Sequence, residues 1–428
     1  MHATTSHIIL YVLLFVAVLT AIDFYAFRGV KAAFSFVQSE KIQQVISWIY
    51  WSVNISLLVG IAFALFTFDK HNGPNKTIFS ILASVLILFL IPKLVVCVVL
   101  LFEDVFRLLA AFGLFIGRML GAPTTEDSFY FADRRQFLSQ VALGLASIPF
   151  FSILYGVTKG KYNYTVHRVN LKFKNLPEKF NGLRITQISD MHVGSFDNEE
   201  GVKRGINLVN EQKSDLIFFT GDMVNNLASE MEPWLNHFKQ LNAPMGMYSI
   251  LGNHDYGDYI EWDSLEDKKK NLDSLKSIHK ELGFRLLLNE NISIKRDDEE
   301  INLIGIENWG SGGFAKYGDL NMALNGITSD GFKILLSHDP SHWDAQTLKH
   351  KEHIHLTLAG HTHGMQFGVE IPAVNIKWSP VKYRYPRWAG LYEEAGKYIY
   401  VNRGFGFIGF PGRVGIWPEV TVITLERA

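Results

Sequence analysis

Five short polar blocks, each directly after an apolar, β-rich run, constrain the fold of this chain more than any other feature of its sequence. The runs are of the kind that forms buried strands. They cover residues 183–188, 216–220, 247–251, 334–336 and 354–358. Polar, periodic stretches at 199–212 and 229–241 predict crossover helices between the first strands. This alternation predicts an α/β layered fold.

The polar blocks bring carboxylate, amide and imidazole groups to the ends of these predicted strands. They are Asp190-Met191-His192, Gly221-Asp222, Gly252-Asn253-His254-Asp255, His338 and Gly360-His361-Thr362-His363. In open α/β sheets the carboxyl ends of the strands border the crevice that binds ligands, so blocks far apart in sequence can meet there. We therefore expect one site built from five strand ends.

A pair of divalent metal ions is the cofactor that this mixture of side chains predicts. Two ions about 3.5 to 4 Å apart need a bridging carboxylate, and neutral imidazole or amide oxygen suits the other positions. Asp222 is the natural bridge. The other predicted ligands form two sets, namely Asp190, His192 and His363 for one ion and Asn253, His338 and His361 for the other. The ions could be Mn, Fe, Zn or Co, and the residues do not choose among them.

Two adjacent cations favour hydrolysis of a phosphate ester. They lower the pKa of a shared water towards roughly 7 and stabilise charge that grows on the phosphoryl oxygens. His254 follows a predicted ligand but belongs to neither set, so we predict that it donates a proton to the leaving oxygen as the general acid. Asp255 either orients that imidazole or serves as a helix cap or turn residue, and the sequence leaves these readings open.

These blocks resemble the calcineurin-like metallophosphoesterase superfamily, whose motifs Asp-x-His, Gly-Asp, Gly-Asn-His-(Asp/Glu), His and Gly-His-x-His are matched at every ligand position. The resemblance covers about residues 165–428. It is closer to the bacterial membrane-associated branch, on the segments 337–340, 359–364 and 418–422. It implies a four-layer α/β/β/α sandwich that acts on phosphodiesters or pyrophosphates, sometimes on lipids.

One departure from the superfamily bears on the substrate. Its protein Ser/Thr phosphatases carry Asp-Arg soon after Gly-Asp-x-Val, whereas here residues 221–224 run into Asn225-Asn226. This argues against a phosphoprotein substrate. It also removes a carboxylate partner for His254.

The first third of the chain predicts an all-α transmembrane region. Apolar runs at 8–27, 45–68 and 78–101 are long enough to cross a hydrocarbon layer of about 30 Å. A fourth run at 137–157 predicts another span, with a helix lying on the membrane surface as the alternative, because Gln140 and Pro149 weaken the run. We therefore expect about four spans in residues 1–158 and a catalytic domain in residues 159–428.

Lysine and arginine residues predict the orientation of these spans. The segments after the first span and between the third and fourth are richer in cations than the loop that holds Lys70 and Lys76. Because positive loops stay cytoplasmic, residues 159–428 are expected outside the cytoplasm, at the cell (inner) membrane. The run from Arg134 to Leu138 also resembles a twin-arginine export motif, although a plain positive flank explains it nearly as well.

Membrane lipids are expected partners of the carboxyl-terminal part. Cations alternate with aromatic residues at Lys377, Trp378, Lys382, Tyr383, Arg384, Tyr385, Arg387 and Trp388, and Phe405, Phe407, Ile408 and Phe410 follow. Such residues suit the headgroup level of a bilayer, so one hypothesis is that both segments form a lipid-facing lip, and the alternative is that they pack beneath the sheet. The net charge of −1 gives no support for a nucleic-acid partner, and the oligomeric state is not readable.

Taken together, the sequence predicts a membrane-anchored dinuclear metal-dependent phosphohydrolase. We expect it to cleave phosphodiester or pyrophosphate bonds of a lipid or envelope glycoconjugate such as a UDP-diacylglucosamine-like substrate, because the superfamily includes UDP-2,3-diacylglucosamine pyrophosphatases of similar motif. One alternative is a phosphomonoesterase or nucleotide phosphodiesterase on soluble substrates. Another is a membrane sensor that binds metal without catalysis.

Overall fold

The computed structural model describes residues 5–66, 76–121, 132–313, 315–327, 331–374 and 376–428. The chain divides into two units, residues 1–155 and residues 156–428. Different sequence patterns build them, since the first consists of long apolar helices and the second of short strands and helices.

Four apolar helices begin in the first unit. They are α1 (Thr5–Ala33), α2 (Glu40–Phe66), α3 (Lys76–Met119) and α4 (Ala132–Thr158). Each is long and apolar enough to cross a membrane. Helix α3 does not end near Leu101 as predicted. Its 44 residues span about 66 Å at 1.5 Å per residue, which exceeds the hydrocarbon thickness.

Helix α4 runs without interruption through Gln140 and Pro149. Its apolar residues are spread around its circumference instead of along one face. A helix that lies on a membrane surface needs one apolar and one polar face, so this pattern favours a span. Lys70, used to predict orientation, and Phe68, the predicted end of the second span, lie outside the described residues.

A lysine and an aspartate inside these helices are paired. Lys93 of α3 donates to the carboxylate of Asp23 in α1 at 2.6 Å and also contacts the amide oxygen of Asn54 in α2. A lone charge is costly in hydrocarbon, and pairing removes much of that cost. The pair therefore explains how three apolar helices accommodate a lysine and an aspartate.

Two six-stranded sheets form the centre of the second unit. The first contains, in spatial order, β1 (Thr165–Phe173), β14 (Glu419–Arg427), β2 (Leu183–Ile188), β3 (Leu216–Phe219), β4 (Met247–Ser249) and β5 (Phe284–Leu286). The second contains β12 (Gly390–Glu394), β13 (Lys397–Val401), β9 (Leu356–Ala359), β8 (Lys333–Leu336), β7 (Glu299–Gly305) and β6 (Glu290–Arg296). A separate hairpin pairs β10 (Val369–Ile371) with β11 (Ile376–Trp378).

The two sheets pack face to face, which confirms the predicted sandwich. Ile185 and Phe218 of the first sheet share one buried core with Leu303 and Leu336 of the second. The outer face of the first sheet packs against α5 (Glu199–Glu211), α6 (Leu235–Phe238) and α7 (Leu265–Glu281). The short helix α8 (Leu320–Ala323) covers part of the second sheet. The order of layers is therefore α/β/β/α.

Of the two predicted crossover helices, one is confirmed and one is wrong. Helix α5 begins where Asn198 accepts the backbone N–H of Gly201 at 2.8 Å, which is a regular N-terminal cap. The stretch 229–241 forms only a 3₁₀ turn, Ala228–Met231, and the single-turn helix α6. Pro233 lies between them, and its missing N–H and its ring are incompatible with a continuous helix.

The strands that carry the polar blocks run parallel within each sheet. In the first sheet β2, β3 and β4 are parallel neighbours, and in the second β8 and β9 are. Their carboxyl ends therefore lie at the same edge of each sheet. This arrangement brings the five polar blocks to one edge of the sandwich.

Candidate metal centre

All seven predicted metal ligands lie just beyond these strand ends, in two groups. The first group is Asp190, His192 and His363, and the second contains Asp222, His338 and His361. Within each group the potential ligand atoms lie within 4.8 Å of one another. The division is the one that the sequence predicts, with Asn253 joining the second group.

Asp222 lies between the two groups. Its Oδ2 atom is 3.5 Å from Nε2 of His192 and 3.1 Å from Nε2 of His338. Its Oδ1 atom accepts the backbone N–H of His254 at 2.8 Å, which fixes the orientation of the carboxylate. One oxygen is thus directed at both groups, as a bridging ligand requires.

The first group contains buried nitrogen atoms that lack hydrogen bonds. Neither ring nitrogen of His192 has a partner among the described residues, nor does Nε2 of His363. That Nε2 atom lies 3.3 Å from Oδ1 of Asp190. Buried polar atoms are nearly always paired, and an unpaired set around carboxylates is what a divalent cation would satisfy. The donor set therefore fits a metal ion.

The second group is held by hydrogen bonds to the surrounding protein. Nδ1 of His338 lies 2.7 Å from the carbonyl oxygen of Thr220, so it carries the proton and leaves Nε2 as the ligand nitrogen. The amide nitrogen of Asn253 donates to Tyr259 at 2.7 Å, which leaves its oxygen for the centre. That oxygen is 2.8 Å from Nδ1 of His361.

His361 is oriented by a residue from another segment. Its Nε2 atom lies 2.8 Å from the hydroxyl oxygen of Tyr385, which is also 3.3 Å from the carboxylate of Asp339. Its Nδ1 atom lies 3.3 Å from Nε2 of His338. Tyr385 therefore holds the ring so that Nδ1, and not Nε2, faces the centre.

The backbone at the site is strained, because several predicted ligands have positive φ angles. Five of the predicted ligands have left-handed φ angles: Asp190 at 51°, His192 at 47°, Asp222 at 62°, His361 at 71° and His363 at 50°. Residues other than glycine rarely occupy this region, and doing so costs about 1 to 3 kcal/mol each. Such strain clusters at functional sites, where it aims side chains that a regular strand would direct elsewhere.

Two glycines of the polar blocks are required by close packing. A Cβ atom on Gly252 would overlap the carboxylate of Asp222. One on Gly360 would overlap Ser189 Oγ and the carboxylate of Asp190. The glycines therefore let neighbouring strand ends approach closely enough to share ligands.

His254 is oriented by a backbone carbonyl and not by Asp255. Its Nδ1 atom lies 2.9 Å from the carbonyl oxygen of Asn225, so Nδ1–H donates and Nε2 is the nitrogen that can exchange a proton. Asp255 is fully buried and accepts the backbone N–H groups of Asp222, Met223 and Gly252 at 2.8 to 2.9 Å. Of the readings left open for Asp255, these contacts match the residue that holds a turn and not the partner of His254.

Electrostatics keep the carboxylates of the site ionised. Burial alone would raise the pKa of Asp222, but the neighbouring histidines, above all His338, outweigh it and hold that pKa well below its usual range. Burial would also lower the pKa of His338, yet the charge of Asp222 raises it to about 10. Burial lowers the pKa of His192 well below its usual value, which favours the neutral ring that a metal binds. The carboxylates at the centre thus attract positive charge.

Sequence reasoning missed several residues that support the ligands. Tyr385 was considered only as part of the lipid-facing lip. Arg413, which is fully buried, lies 3.1 Å from Nδ1 of His363 and donates to the carbonyl oxygen of Arg403. Asn225 acts through its backbone, which carries no side-chain signal. Only the alternation of tyrosine with cations could have marked Tyr385 in the sequence.

The hypothesis of a lipid-facing lip is wrong for Phe405 and Phe407 of the second segment, and for the first segment it stays a prediction. Phe405 and Phe407 are buried and pack in the core with Tyr162 and Phe196, so they cannot face lipid. Trp388 is also buried. Phe405 packs against Tyr164 and against Phe238 of α6, so the loop that carries it folds back onto the helical side of the first sheet.

Comparisons with known proteins give two matched families. Residues 6–161 match the family described as a probable calcineurin-like phosphoesterase, transmembrane domain, and residues 183–365 match calcineurin-like phosphoesterase. A transmembrane protein with metallophosphoesterase domain from Danio rerio is 30% identical over 285 residues, which cover 64% of this chain and 60% of that protein. The chain thus spans about three fifths of that relative.

Two bacterial relatives are matched over most of their length. The uncharacterized metallophosphoesterase YkuE of Bacillus subtilis is 32% identical over 260 residues, covering 60% of this chain and 83% of that protein. The UDP-2,3-diacylglucosamine pyrophosphatase LpxG of Chlamydia trachomatis is 29% identical over 281 residues, covering 54% of this chain and 81% of that protein.

Proposed function

Since the chain belongs to the calcineurin-like metallophosphoesterases and carries a membrane-spanning region, we propose that it hydrolyses a phosphodiester or pyrophosphate bond of a lipid-linked substrate. The observation that carries this proposal is the shared carboxylate of Asp222 between two sets of buried ligands. A scaffold would need neither the bridge nor His254 beside it. The proposal thus favours an enzyme over a sensor.

Two divalent ions would be held by the predicted ligands. Asp190, His192 and His363 would hold one and Asn253, His338 and His361 the other, with Asp222 shared. When bound, such a pair polarises the phosphoryl group and makes hydroxide accessible near neutral pH. The protein contributes by fixing the ligands before the ions arrive, through the contacts of Thr220, Tyr259 and Tyr385.

His254 would supply the proton for the leaving oxygen. Its Nδ1–H is held by the carbonyl oxygen of Asn225, and its backbone N–H is held by Asp222. Both contacts fix the ring, so Nε2 is the atom that can donate to substrate. A general acid of this kind contributes about 10²- to 10⁴-fold, and most where the leaving group is a poor one.

The substrate class is inferred from the membrane region and from one relative. A relative whose name states UDP-2,3-diacylglucosamine as its substrate is 29% identical, and a membrane-anchored site is suited to a substrate that stays in the bilayer. We infer an acylated pyrophosphate or phosphodiester such as a UDP-diacylglucosamine-like glycolipid. From the distribution of lysine and arginine we also infer that residues 159–428 lie outside the cytoplasm, at the inner membrane.

A substrate panel tests this proposal. The full chain in detergent, loaded with Mn²⁺, would be assayed with bis-p-nitrophenyl phosphate, p-nitrophenyl phosphate and UDP-2,3-diacylglucosamine. We expect hydrolysis of the diester and the lipid pyrophosphate, little hydrolysis of the monoester, and a loss of about 10²-fold or more with His254→Asn on the lipid substrate.

The control for that experiment is His353→Asn, because His353 is exposed and belongs to neither ligand group. It should leave all rates unchanged. Turnover of the monoester alone would overturn the substrate class. Full retention of metal with no turnover of any phosphate ester would favour the sensor.

A further inference from the structure

The hairpin of β10 and β11 directs its apolar side chains outward and its polar side chains towards the protein, which is the reverse of an ordinary surface hairpin. Successive residues of a strand point to opposite faces, and a hairpin on a water-facing surface normally directs its polar residues outward. Here the outward side chains are apolar and 40 to 46% exposed: Val369, Ile371, Ile376 and Trp378. The polar pair between them, Glu370 and Lys377, points to the protein.

Two polar contacts fix the hairpin in this orientation. Glu370 accepts from the guanidinium of the buried Arg403 at 3.0 Å, and Arg403 is paired at 2.6 Å with the fully buried Glu419. The ammonium group of Lys377 donates to the carbonyl oxygen of Ala389. Turning the apolar face inward would break both contacts, so its exposure is built into the fold.

The apolar surface continues beyond the strands. Val374, in the connection between β10 and β11, is exposed, and Tyr383, in the turn after β11, is 79% exposed. Ser379 holds that turn, since its hydroxyl donates to the carbonyl oxygen of Gly364 at 2.7 Å. Lys382 and Arg384 flank Tyr383 and are exposed as well. Contiguous exposed apolar side chains mark an interaction surface, and tryptophan and tyrosine next to lysine and arginine are typical of the headgroup level of a bilayer.

The root of the hairpin is linked to the end of a membrane helix. Gly156, in the last turn of α4, belongs to the second unit, and its carbonyl oxygen accepts the backbone N–H of Arg413 at 3.2 Å. The next residue, Val414, accepts the N–H of Gly368 at 2.9 Å. Two backbone contacts thus connect the point where the chain leaves α4 to the first strand of the hairpin. Because α4 is long and apolar enough to cross a membrane, the hairpin is linked to residues that directly follow a membrane-spanning helix in sequence.

We propose that the β10–β11 hairpin is a membrane-inserted element that places its apolar face among lipid acyl chains, with Lys382 and Arg384 on anionic headgroups. The partner is a bilayer that contains anionic lipid, and not a second protein. The hairpin follows His361 and His363 within a few residues, so its insertion would hold the candidate metal centre at the membrane surface. This inference depends on membrane association and not on the substrate proposed above.

Spin labels measure this insertion without any need for turnover. In a Cys97→Ala background, which removes the lone cysteine of the chain, Ile376→Cys would carry a nitroxide on the hairpin. The full protein would be reconstituted in vesicles of phosphatidylethanolamine and phosphatidylglycerol. Relaxation by oxygen, which concentrates in lipid, is compared with relaxation by a water-soluble nickel chelate.

The matched control is Leu265→Cys in the same background, since Leu265 is also apolar and exposed but lies at the start of α7. We expect the ratio of oxygen to nickel relaxation to be severalfold higher at 376 than at 265. It should fall when Lys382 and Arg384 are both replaced by Gln, or when phosphatidylcholine replaces phosphatidylglycerol.

Equal ratios at the two positions would overturn the proposal. Dipolar broadening between labels at 376, with no rise in the oxygen ratio, would also overturn it and would identify a second copy of the chain as the partner. Neither result would bear on hydrolysis, so failure of this inference is distinguishable from failure of the proposed function.

Discussion

The two ligand groups of the candidate centre contain the same kinds of side chain but are held in different ways. In the second group, every ligand has a contact that fixes it: His338 with Thr220, His361 with Tyr385 and Asn253 with Tyr259. In the first group, Arg413 contacts Nδ1 of His363, but both nitrogens of His192 and Nε2 of His363 are buried without a hydrogen bond among the described residues.

The second group of ligands is therefore preorganised, and the first group depends more on a bound ion. The protein alone fixes every ligand of the second group, whereas the three nitrogens of the first group that lack hydrogen bonds would be satisfied only by a bound cation. Asp222 lies between the two groups, so it links ligands that the protein fixes to ligands that a bound ion would satisfy. We therefore expect different responses of the two groups to metal removal and to substitution.

Replacing the shared carboxylate should have the largest effect. With Asp222→Asn, both groups lose their common charge, so we expect loss of both ions and a fall in kcat of at least about a thousandfold, because such ions supply several kcal/mol and 1.36 kcal/mol corresponds to tenfold. Metal content by mass spectrometry and kcat would be measured together. Asp215→Asn, at the opposite end of β3, is the matched control. Loss of one ion only would show that Asp222 is not shared.

Removing the hydroxyl of Tyr385 should affect one group selectively. Loss of the contact to Nε2 of His361 frees that ring, and loss of such a supporting contact weakens metal binding by about 10- to 100-fold. Calorimetric titration of Tyr385→Phe should therefore show one weakened ion and one unchanged ion. Tyr383→Phe, at the neighbouring exposed tyrosine, should bind both ions normally. Equal weakening of both ions would contradict the separation of the groups.

Substitution of one histidine in each group should change the stability of the metal-free protein in opposite directions. His338→Leu leaves the carbonyl oxygen of Thr220 without its donor and should lower the free energy of unfolding by about 1 to 2 kcal/mol. His192→Leu removes two unpaired buried nitrogens and should raise it by about 1 kcal/mol, the gain being reduced because leucine tolerates the left-handed φ poorly. Thermal unfolding with chelator present measures both. A decrease in the free energy of unfolding with His192→Leu in the presence of chelator would contradict the proposed difference between the two groups.

His279, which lies in neither ligand group, should make the stability of the protein depend on pH through its burial alone and without any contribution from a metal ion. Burial lowers the pKa of His279 to about 3, below its unfolded value of about 6.5. As pH falls, the unfolded chain therefore binds a proton at this histidine before the folded chain does. The contribution of the neutral His279 to the free energy of unfolding is fully present above pH 6.5 and is lost as pH decreases towards 3. Between about pH 7 and pH 5.5 the loss should be about 1 kcal/mol, with or without metal. His279→Gln, which can keep the contact to Ser249, should remove that part of the pH dependence.

The convergence of the seven predicted ligands was predictable from sequence because each block follows a strand whose apolar pattern is unambiguous. Strand ends of one sheet edge converge, so residues from 190 to 363 could be brought together without any knowledge of loops. The bridging role of Asp222 was predicted by a separate argument, namely that two adjacent ions need a shared carboxylate. The predicted helix at 229–241 failed because periodicity was followed across Pro233, whose local effect is stronger.

The supporting residues could not be predicted in the same way. Asn225 and Thr220 act through carbonyl oxygens, which any residue type supplies, and Asp255 binds backbone N–H groups of a turn that forms only in the folded chain. The aromatic residues of the predicted lip divide between core and surface according to whether their loop folds back on the sheet. The amino-acid composition of these segments does not predict which of their aromatic residues are buried.

Anomalous X-ray diffraction from crystals of the Mn²⁺-loaded protein would test the central claim most directly. The account predicts two peaks about 3.5 to 4 Å apart, one on each side of the carboxylate of Asp222, with Nδ1 of His361 and Nε2 of His338 directed at the same peak. A single peak, or two peaks that do not share Asp222, would contradict it.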